Sequence, residues 1–499
     1  MRYKSTRNSD LRYTASKVIA KGISQEGGLF VPESFPDVRA ELSGWAELDY
    51  CSLAERILPL YLSDFTQDEI INCVTQAYSK EKFGGDEPVK LKSLDEKTSV
   101  LELWHGPTCA FKDMALQLLP QLLPVAVGKT SKTAVILVAT SGDTGKAALE
   151  GFKDVPGTKI IVFYPVNGVS DMQKLQMTTA EGENLRVCAV EGNFDDTQTG
   201  VKSAFTDERI LSEMEERGLF FSSANSINFG RLLPQIIYYF YAYFQLYRQG
   251  RIKSLSEPIN VAVPTGNFGN ILAAYYAGRM GLPVNKFICA SNENNILTEF
   301  INTGHYDKKR EFFATTSPSM DILVSSNLER LLYHICGEDS GLLQGWMDEL
   351  GSRGEYQVDE KTAAGIKELF YGGYCGDDRT IAEIGGIYSE NGYLSDTHTA
   401  VALKVFEDYR RETGDKTLSV VVSTASPYKF PDHVLEGLGR PVPEDPFSQI
   451  FALEEYTCTK AQPQLKTLRE KEVRFKDEIA ADEMKSYVSR WLEHWGAEG

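Results

Sequence analysis

The chain has 499 residues, of which 42% are hydrophobic and 24% are charged, so it is long enough for two or three packed lobes and too apolar to be disordered. Its 52 basic and 70 acidic residues give a net charge of −18, which argues against nucleic acid as a partner and requires a local cluster of donors for any anionic ligand. Eight cysteines without a C-x-x-C pair argue against zinc and redox motifs and predict a reducing, cytoplasmic location.

The first part of the chain predicts a small region that precedes the main fold. Residues 1–22 are polar, and we predict no signal peptide there. Residues 1–97 predict a mixed amino-terminal region of helices and turns, with a tight turn and a short strand over 27–32. The longest apolar run, 232–247, is interrupted by Pro234 and is too short to span a bilayer, so we predict a buried helix and no membrane partner.

From residue 98 onward, short apolar runs rich in β-branched residues alternate with helical stretches. Such runs are typical of parallel strands covered by helices on both faces, so the fold class is α/β with one or two doubly wound sheets. The predicted strands cover 134–139, 159–163, 185–190, 259–263, 286–290 and 418–422. We predict a smaller lobe over 98–230 and a larger lobe over 231–499, which carries terminal helices on its surface.

A lysine follows a Gly-Pro turn in the segment L-W-H-G-P-T-C-A-F-K-D. Lys112 lies after the apolar Ala110 and Phe111, at the start of a helix predicted over 113–119. Lysine is the side chain that forms Schiff bases with carbonyl cofactors. A solvated lysine in the first turn of a helix explains this segment equally well, so the other loops decide between the two interpretations.

The loop T-S-G-D-T-G, 140–145, lies between the strand 134–139 and a helix predicted over 146–152. Ligands of open α/β sheets bind beyond the carboxyl ends of strands, and free N–H groups at a helix start can hold a carboxylate or phosphate. The loop is not a P-loop, because only two residues separate its glycines and Ala147 stands where Ser or Thr is required, which weakens a nucleotide-binding interpretation. An ordinary capped helix start remains the alternative.

The loop P-T-G-N-F-G-N, 264–270, lies between the strand 259–263 and a helix predicted over 271–280. Gly266 and Gly269 permit a close backbone approach, so successive N–H groups can form an anion-binding nest. The loop lacks the G-x-G-x-x-G pattern of dinucleotide sites and therefore favours a monophosphate. An ordinary strand-to-helix turn is the alternative.

The loop S-T-A-S-P-Y-K-F, 423–430, follows the strand 418–422. Its Thr424 hydroxyl can contact a ring nitrogen, although a hydroxyl in this position can also simply satisfy its own turn. A lysine, a phosphate nest and a ring contact together describe a site for pyridoxal 5′-phosphate, whose aldehyde condenses with lysine and whose ring stores electrons. We predict no metal.

The order of the motifs resembles that of the threonine synthase family, in its longer bacterial and fungal type. The matching motifs are Y-K-S-T-R at 3–7, G-G-L-F-V-P at 27–32, H-G-P-T-C-A-F-K-D, T-S-G-D-T-G, N-S-I-N-F-G-R at 225–231, P-T-G-N-F-G-N, D-T-H-T-A at 396–400 and S-T-A. The resemblance covers most of the chain and implies the tryptophan-synthase-β-like fold, also called fold type II. This fold has two doubly wound lobes, here with the mixed amino-terminal region added.

The resemblance also implies roles for residues of this chain. Lys112 is expected to be the catalytic lysine that holds the cofactor. The cofactor phosphate is expected on Gly266, Asn267, Phe268, Gly269 and Asn270, and its ring nitrogen on Thr424. The substrate carboxylate is expected on Ser141, Gly142, Asp143 and Thr144, and the substrate phosphate on Asn228 and Arg231 with Lys146 behind them. Helix capping and a surface ion pair are the alternatives for Asn228 and Arg231, and His398 is kept outside the catalytic set.

The implied activity converts O-phospho-L-homoserine and water into L-threonine and phosphate, in a monomer or small homo-oligomer. The alternatives are a phospholyase that releases 2-oxobutyrate, a serine or threonine dehydratase, and a non-catalytic paralogue that only binds pyridoxal phosphate. The chain departs from the family pattern at Ser426 and Tyr428, where His and a small residue are expected. Thr397 replaces an expected Pro and Gly230 an expected Ala, and none of these changes removes the lysine or the phosphate nest.

Overall fold

The structure is a computed structural model that describes residues 1–128, 132–140, 142–166 and 169–496. Two sheets organise it, and all their strand pairs are parallel except the one between Lys90–Ser93 and Thr98–Glu102. The larger sheet has the spatial order Phe370–Tyr374, Val284–Ser291, Ile259–Pro264, Ser419–Ser423, Thr98–Glu102 and Lys90–Ser93. The smaller sheet has the order Asp477–Ala480, Leu185–Glu191, Thr158–Pro165, Thr133–Ala139 and Leu219–Ser222. The predicted α/β class is confirmed.

Both faces of the smaller sheet are covered, as its continuous apolar strands require. Within Thr133–Ala139, Ile136 and Val138 belong to the largest core of the protein. The alternate residues Val135 and Leu137 belong to a second core. Successive side chains of a strand point to opposite faces, so an unbroken apolar run is stable only where helices pack on both sides.

The helices surround these sheets, and the apolar run around Pro234 forms a long buried helix, as predicted. No helix in the described part of the chain is long and apolar enough to cross a membrane. The helices are Ala15–Lys21, Leu42–Trp45, Tyr50–Tyr61, Gln67–Ala77, Lys80–Phe83, Asp113–Leu116, Leu119–Val127, Asp143–Phe152, Asp171–Thr178, Phe194–Phe205, Glu208–Glu216, Phe229–Arg248, Gly269–Met280, Ile296–Thr303, Leu328–Ile335, Ser340–Arg353, Glu360–Leu369, Asp377–Asn391, Thr397–Thr413, Pro431–Gly437, Pro446–Thr457, Pro463–Lys466 and Met484–Gly496.

The amino-terminal region adds a small antiparallel sheet with the order Asn8–Tyr13, Tyr3–Ser5 and Phe30–Pro32. The predicted short strand over 27–32 is therefore present as Phe30–Pro32, and Gly27 supplies the turn before it with a φ of 86°. A two-stranded antiparallel sheet pairs His305–Asp307 with Glu355–Gln357. The amino-terminal region, predicted as helices and turns with a short strand over 27–32, therefore contains two further strands of its small sheet, Tyr3–Ser5 and Asn8–Tyr13.

Two segments cross the predicted lobe limits. Thr98–Glu102 was expected in the smaller lobe, but it pairs with Ser419–Ser423 in the larger sheet. Asp477–Ala480 was expected among terminal helices of the larger lobe, but it pairs with Leu185–Glu191 in the smaller sheet. The last helix, Met484–Gly496, packs into the second core rather than lying on a surface. These swaps place the Lys112 segment directly after a strand of the larger sheet.

Candidate active site

A cavity of about 1350 Å³ opens at the carboxyl ends of strands from both sheets. The predicted site residues that line it are Lys112, Asp143, Thr144, Arg231, Gly266, Asn267, Phe268, Gly269, Asn270 and Thr424. Gly142 and Asn228 do not line it. Ser141 lies outside the described residues. The cavity therefore brings most of the predicted site together at the place where ligands of α/β sheets bind.

Lys112 immediately precedes the short helix Asp113–Leu116. The N–H of the preceding Phe111 donates to the carbonyl of Thr424 at 2.8 Å, and Ala110 forms an antiparallel bridge with Ala425. The lysine is thus fixed to the loop that follows Ser419–Ser423, although Lys112 and Thr424 are 312 positions apart in sequence. One backbone contact therefore couples the position of the amine to that of the predicted ring contact.

The Lys112 side chain is largely buried and faces polar groups of two other segments. Its Nζ lies 3.6 Å from Asp143 Oδ2 and donates to Ser319 Oγ at 3.4 Å. Burial lowers the pKa of the Lys112 amine, Asp143 opposes that effect, and the cations of Lys429 and Arg231 lower the pKa further. A lysine with a lowered pKa carries more of the uncharged amine that acts as a nucleophile and base.

Protein donors engage the carbonyls of the glycine-rich loop after Ile259–Pro264. Gly266 O accepts a hydrogen bond from Ser325 Oγ at 2.8 Å, and Asn267 O accepts from Asn327 N at 3.2 Å and Nδ2 at 3.0 Å. Phe268 takes a left-handed φ of 63° immediately before the helix Gly269–Met280. Within the described chain, the N–H groups of residues 266–268 have no protein acceptor, so they can donate to an anion at the helix start.

Two further observations show that this loop fits a phosphate. Asn270 Oδ1 accepts from the hydroxyls of Tyr238 and Tyr239 at 2.8 Å and 2.5 Å, while its buried Nδ2 has no partner among the described residues. A buried donor without an acceptor is costly unless a ligand supplies one. A Cβ on Gly266 would lie 2.9 Å from the Ser319 carbonyl oxygen, so glycine is required for this backbone approach.

Thr424 lies at the carboxyl end of Ser419–Ser423 and is 6% exposed. In the described structure its hydroxyl has no hydrogen-bond partner, so it is available to a ligand in the cavity. The nearby departure at Ser426 is explained locally: its Oγ donates to Gln462 Oε1 at 2.7 Å and accepts from Tyr428 N at 3.3 Å. These contacts hold the loop without the histidine of the family pattern.

Gly142 itself shapes a turn and does not line the cavity. Gly142 N and Gly145 N both donate to Thr140 Oγ1, at 3.0 Å and 2.9 Å. Gly142 has a φ of 135°, and a Cβ there would lie 2.4 Å from the Gln173 amide group. The turn directs the Asp143 side chain toward Lys112 and presents Thr144, at the start of the helix Asp143–Phe152, to the cavity.

Asn228 has a structural role in this fold. Its Oδ1 caps the helix Phe229–Arg248 by accepting from Gly230 N at 2.9 Å. Its Nδ2 donates to Ile19 O at 3.0 Å and Ser223 O at 2.9 Å, and the residue is fully buried. Both amide hydrogens are used, so the geometry leaves no donor for the predicted contact with a substrate phosphate.

Arg231, one turn further along the same helix, is different. Its guanidinium donates to Ala224 O, its buried Nε has no partner, and the described part of the chain offers it no acidic partner. Burial lowers its pKa to about 10. A buried cation without a carboxylate, on the wall of a cavity, fits an anionic ligand group.

Two polar residues of the site, Ser319 and Lys429, carry no sequence prediction, and a third, His398, is predicted only outside the catalytic set. Ser319 Oγ donates to Asp143 Oδ2 at 3.1 Å, and Ser319 N donates to His398 Nε2 at 3.1 Å. His398 Nδ1 lies 2.7 Å from Asp396 Oδ2, so the proton on Nδ1 leaves Nε2 as the acceptor that positions Ser319. Lys429 forms an ion pair with Asp143 at 2.5 Å.

These residues differ in how far the sequence could have revealed them. Ser319 lies in the short 3-10 helix Pro318–Met320 and carries no motif. Lys429 lies five residues after Thr424, so its position in the same loop was the one usable signal. His398 was noted at the sequence level but not as a positioning group.

Comparison with known proteins agrees with this geometry. Family models described as "Threonine synthase N terminus", "Pyridoxal-phosphate dependent enzyme" and "Threonine synthase, C-terminal" match residues 2–78, 85–425 and 399–485. Threonine synthase from Pseudomonas aeruginosa is 38% identical over 463 residues, which cover 92% of this chain and 95% of that protein. A crystal structure of threonine synthase from Brucella melitensis with bound pyridoxal phosphate superposes with a TM-score of 0.86 at 34% identity, covering 99% of each chain.

A second group of relatives is longer than this chain. Threonine synthase-like 1 from Macaca fascicularis is 40% identical over 458 residues, which cover 89% of this chain. The match spans 60% of that relative's length. Similarity to both groups defines the family and leaves the activity to be argued from the site.

Proposed function

The chain belongs to the threonine synthase family of pyridoxal-phosphate-dependent enzymes, and on this premise we propose that it converts O-phospho-L-homoserine and water into L-threonine and phosphate. The observation that carries the proposal is that Lys112, a phosphate nest and a buried arginine without a carboxylate partner among the described residues line one cavity. A site with two separate anion-binding places suits a phosphorylated cofactor and a phosphorylated substrate.

The cofactor would be held at three points of the cavity. The N–H groups of 266–268 and Asn270 Nδ2 would take its phosphate, Lys112 Nζ its aldehyde and Thr424 Oγ1 its ring nitrogen. When bound, pyridoxal phosphate supplies a carbonyl that reacts with amines and a ring that withdraws electrons from the substrate carbons. A threonine rather than a carboxylate at the ring nitrogen does not hold that nitrogen protonated.

Residues of the chain would transfer the protons and bind the two anionic groups of the substrate. The uncharged amine of Lys112 can take one proton from Cα and one from Cβ, and return one to Cγ and one to Cα. Over the reaction the bond between Cγ and the phosphate oxygen breaks, and the oxygen of water bonds to Cβ. Arg231 would stabilise the leaving phosphate dianion, and the start of the helix Asp143–Phe152 would hold the α-carboxylate. Fixing both anions keeps all three carbons near one amine.

Product analysis tests this proposal. The purified chain, loaded with pyridoxal phosphate, is incubated with O-phospho-L-homoserine, and phosphate, threonine and 2-oxobutyrate are measured together. We expect threonine and phosphate in equal amounts and no turnover by Lys112→Ala. Lys404→Ala is the control, because Lys404 pairs with Glu407 and Asp408 outside the cavity, and it should keep wild-type activity.

Each alternative function gives its own result. Oxobutyrate and phosphate without threonine would identify a phospholyase. Oxobutyrate from serine or threonine without phosphate release would identify a dehydratase. Bound cofactor without turnover of any of these substrates would identify a binding paralogue, and full activity of Lys112→Ala would refute the role of this lysine.

We further propose a cytoplasmic protein that is a monomer or small homo-oligomer. The support for the location is that all eight cysteines are free thiols, five of them buried. Fractionation of the cells that make the protein tests the location, and light scattering of the purified chain tests the oligomeric state.

A further inference from the structure

A second lysine is buried beside Lys112. Lys429 lies in the loop after Ser419–Ser423, and its side chain is completely buried. Its Nζ donates to the Thr108 carbonyl at 3.1 Å and to Asp143 Oδ1 at 2.5 Å. Thr108 belongs to the Gly-Pro turn before Lys112, so the ammonium group of Lys429 connects that turn to the loop that carries Asp143.

Asp143 is shared unequally between the two lysines. One carboxylate oxygen, Oδ1, is in close contact with Lys429, while Oδ2 lies 3.6 Å from Lys112 Nζ and accepts from Ser319 Oγ at 3.1 Å. The two distances differ by more than 1 Å, and Coulomb attraction favours the nearer cation. Asp143 therefore pairs with Lys429, and the attraction between the same carboxylate and Lys112 is weaker.

A purely structural function does not account well for this pair. Removing two charges from water is expensive, and apolar residues of similar volume often stabilise a core as well as a buried ion pair. Arg231 already contributes a buried cation to the same cavity, so Lys429 adds a second one near Lys112. The position of the Lys429–Asp143 pair beside the Lys112 amine therefore points to an effect of the pair on that amine.

We propose that Lys429 is a positioning residue that takes up the charge of Asp143 and so leaves Lys112 as the uncharged amine of the site. This inference rests on the proposed use of Lys112 as the reacting amine. It assigns Lys429 no contact with substrate or cofactor. Its effect passes through Asp143 and through repulsion between two neighbouring cations.

The surrounding charges agree with this role. Among the described residues, Lys112 is faced by Asp143, Lys429 and Arg231, and both cations act to lower its pKa. The pKa of Asp143 lies far below its usual range because the ammonium group of Lys429, the strongest of the neighbouring cations, counters the effect of burial. Asp113 is also buried near Lys429, but it accepts from Thr108 N and Oγ1, and burial raises its pKa to about 6.

The test measures the Lys112 amine without using the reaction. The full chain is freed of cofactor with hydroxylamine, and the initial rate of reductive methylation of Lys112 by formaldehyde and a borane is followed by mass spectrometry from pH 6 to pH 10. Only the uncharged amine reacts, so the pH of half-maximal rate reports its protonation. The exposed Lys476 is the internal reference.

Lys429→Met removes the competing cation and frees Asp143 to pair with Lys112. We expect the half-maximal pH of Lys112 to rise by at least one unit, which is roughly a tenfold lower rate at pH values below both midpoints. Lys429→Arg keeps the charge and should stay near the wild-type value. Asp143→Asn removes the carboxylate and should shift the midpoint in the opposite direction, to lower pH.

Lys404→Met is the matched control, because it removes a lysine from carboxylates outside the cavity and should leave the midpoint unchanged. A midpoint that stays constant or falls in Lys429→Met overturns the inference. If that variant does not fold, a midpoint in Asp143→Asn at or above the wild-type value does the same. Expected midpoints in a chain that makes no threonine would support the role of Lys429 and reject the proposed function.

Discussion

Replacing Arg231 with methionine should stabilise the ligand-free chain and impair its reaction with a phosphorylated substrate. Arg231 is a buried cation whose Nε has no partner among the described residues. An anionic group of a ligand in the cavity would balance its charge. Methionine has a similar length and carries no charge, so the change removes the electrostatic cost of the folded state. The two effects have opposite signs, which makes the prediction specific.

The magnitude follows from the pKa of the guanidinium. Its lowering from 12.5 to about 10 corresponds to about 3 kcal/mol of destabilisation by the charged form, at ~1.4 kcal/mol for each pKa unit. The variant also leaves the Ala224 carbonyl without its donor, which costs about 1–2 kcal/mol. We therefore expect a net gain of about 1–2 kcal/mol in the free energy of unfolding.

The sign of the pH dependence is fixed by the same shift. Because the pKa is lower in the folded state than in the unfolded state, the cost of Arg231 is fully present below about pH 10 and is lost as the pH rises from about 10 to 12.5. Measurements at neutral pH therefore detect the whole difference between wild type and Arg231→Met.

The assay has two parts. Urea unfolding of the cofactor-free chain gives the stability, and initial rates of phosphate release give kcat/KM for O-phospho-L-homoserine. Losing charge-assisted hydrogen bonds to a dianion should lower kcat/KM by about 100-fold or more, equivalent to ~3 kcal/mol. Arg248→Met is the matched control, because Arg248 ends the same helix, also donates to a single carbonyl, that of Leu48, and does not line the cavity.

A less stable Arg231→Met variant with unchanged kcat/KM would contradict the proposed role, since Arg231 would then be an ordinary structural residue. Equal losses of kcat/KM in Arg231→Met and Arg248→Met would also refute it, because the effect would then come from disturbing the helix.

The phosphate nest gives two further predictions. Asn270→Asp keeps the acceptor for two tyrosine hydroxyls but replaces the orphaned donor with a negative charge, so fluorescence titration should show an affinity for pyridoxal phosphate that is about 10- to 100-fold lower. Wild-type affinity would remove Asn270 from the nest. Gly266→Ala pushes a Cβ against the Ser319 carbonyl at 2.9 Å and should cost about 1–3 kcal/mol of cofactor binding, whereas Gly269→Ala has its nearest neighbour at 3.5 Å and should bind normally. Equal affinities of the two glycine variants would contradict this.

The strands at the centre of each sheet were predictable because nothing competes with their pattern. The run 134–139 is apolar at every position and is observed as Thr133–Ala139, and 259–263 is observed as Ile259–Pro264. Asp477–Ala480 was not predicted, because a short polar edge strand has little apolar pattern and forms only by pairing with Leu185–Glu191. Edge strands depend on tertiary pairing, which a single sequence does not display.

The functions of the site residues also differ in how far the sequence predicts them. Backbone functions follow from local sequence, so the glycine loop with its left-handed Phe268 lies where G-N-F-G-N indicates. Side-chain functions depend on what else is near: Asn228 and Arg231 lie in one motif, yet one caps its helix and the other lines the cavity. Ser319 shows the limit, because its position depends on hydrogen bonds to Asp143 and His398 from segments more than 75 residues away.

The charges around Lys112 connect these observations. Lys429 and Arg231 both lie near Lys112, and Asp143 is the carboxylate that the two lysines share, so the site has a local excess of cations in a chain whose net charge is −18. Such an excess is unfavourable in the empty cavity and becomes favourable when a phosphorylated cofactor and a phosphorylated substrate bring anions to it. The free energy of folding that these buried cations cost in the ligand-free chain is therefore recovered as ligand affinity. For this reason Arg231→Met should raise the free energy of unfolding of the ligand-free chain and lower kcat/KM for the phosphorylated substrate.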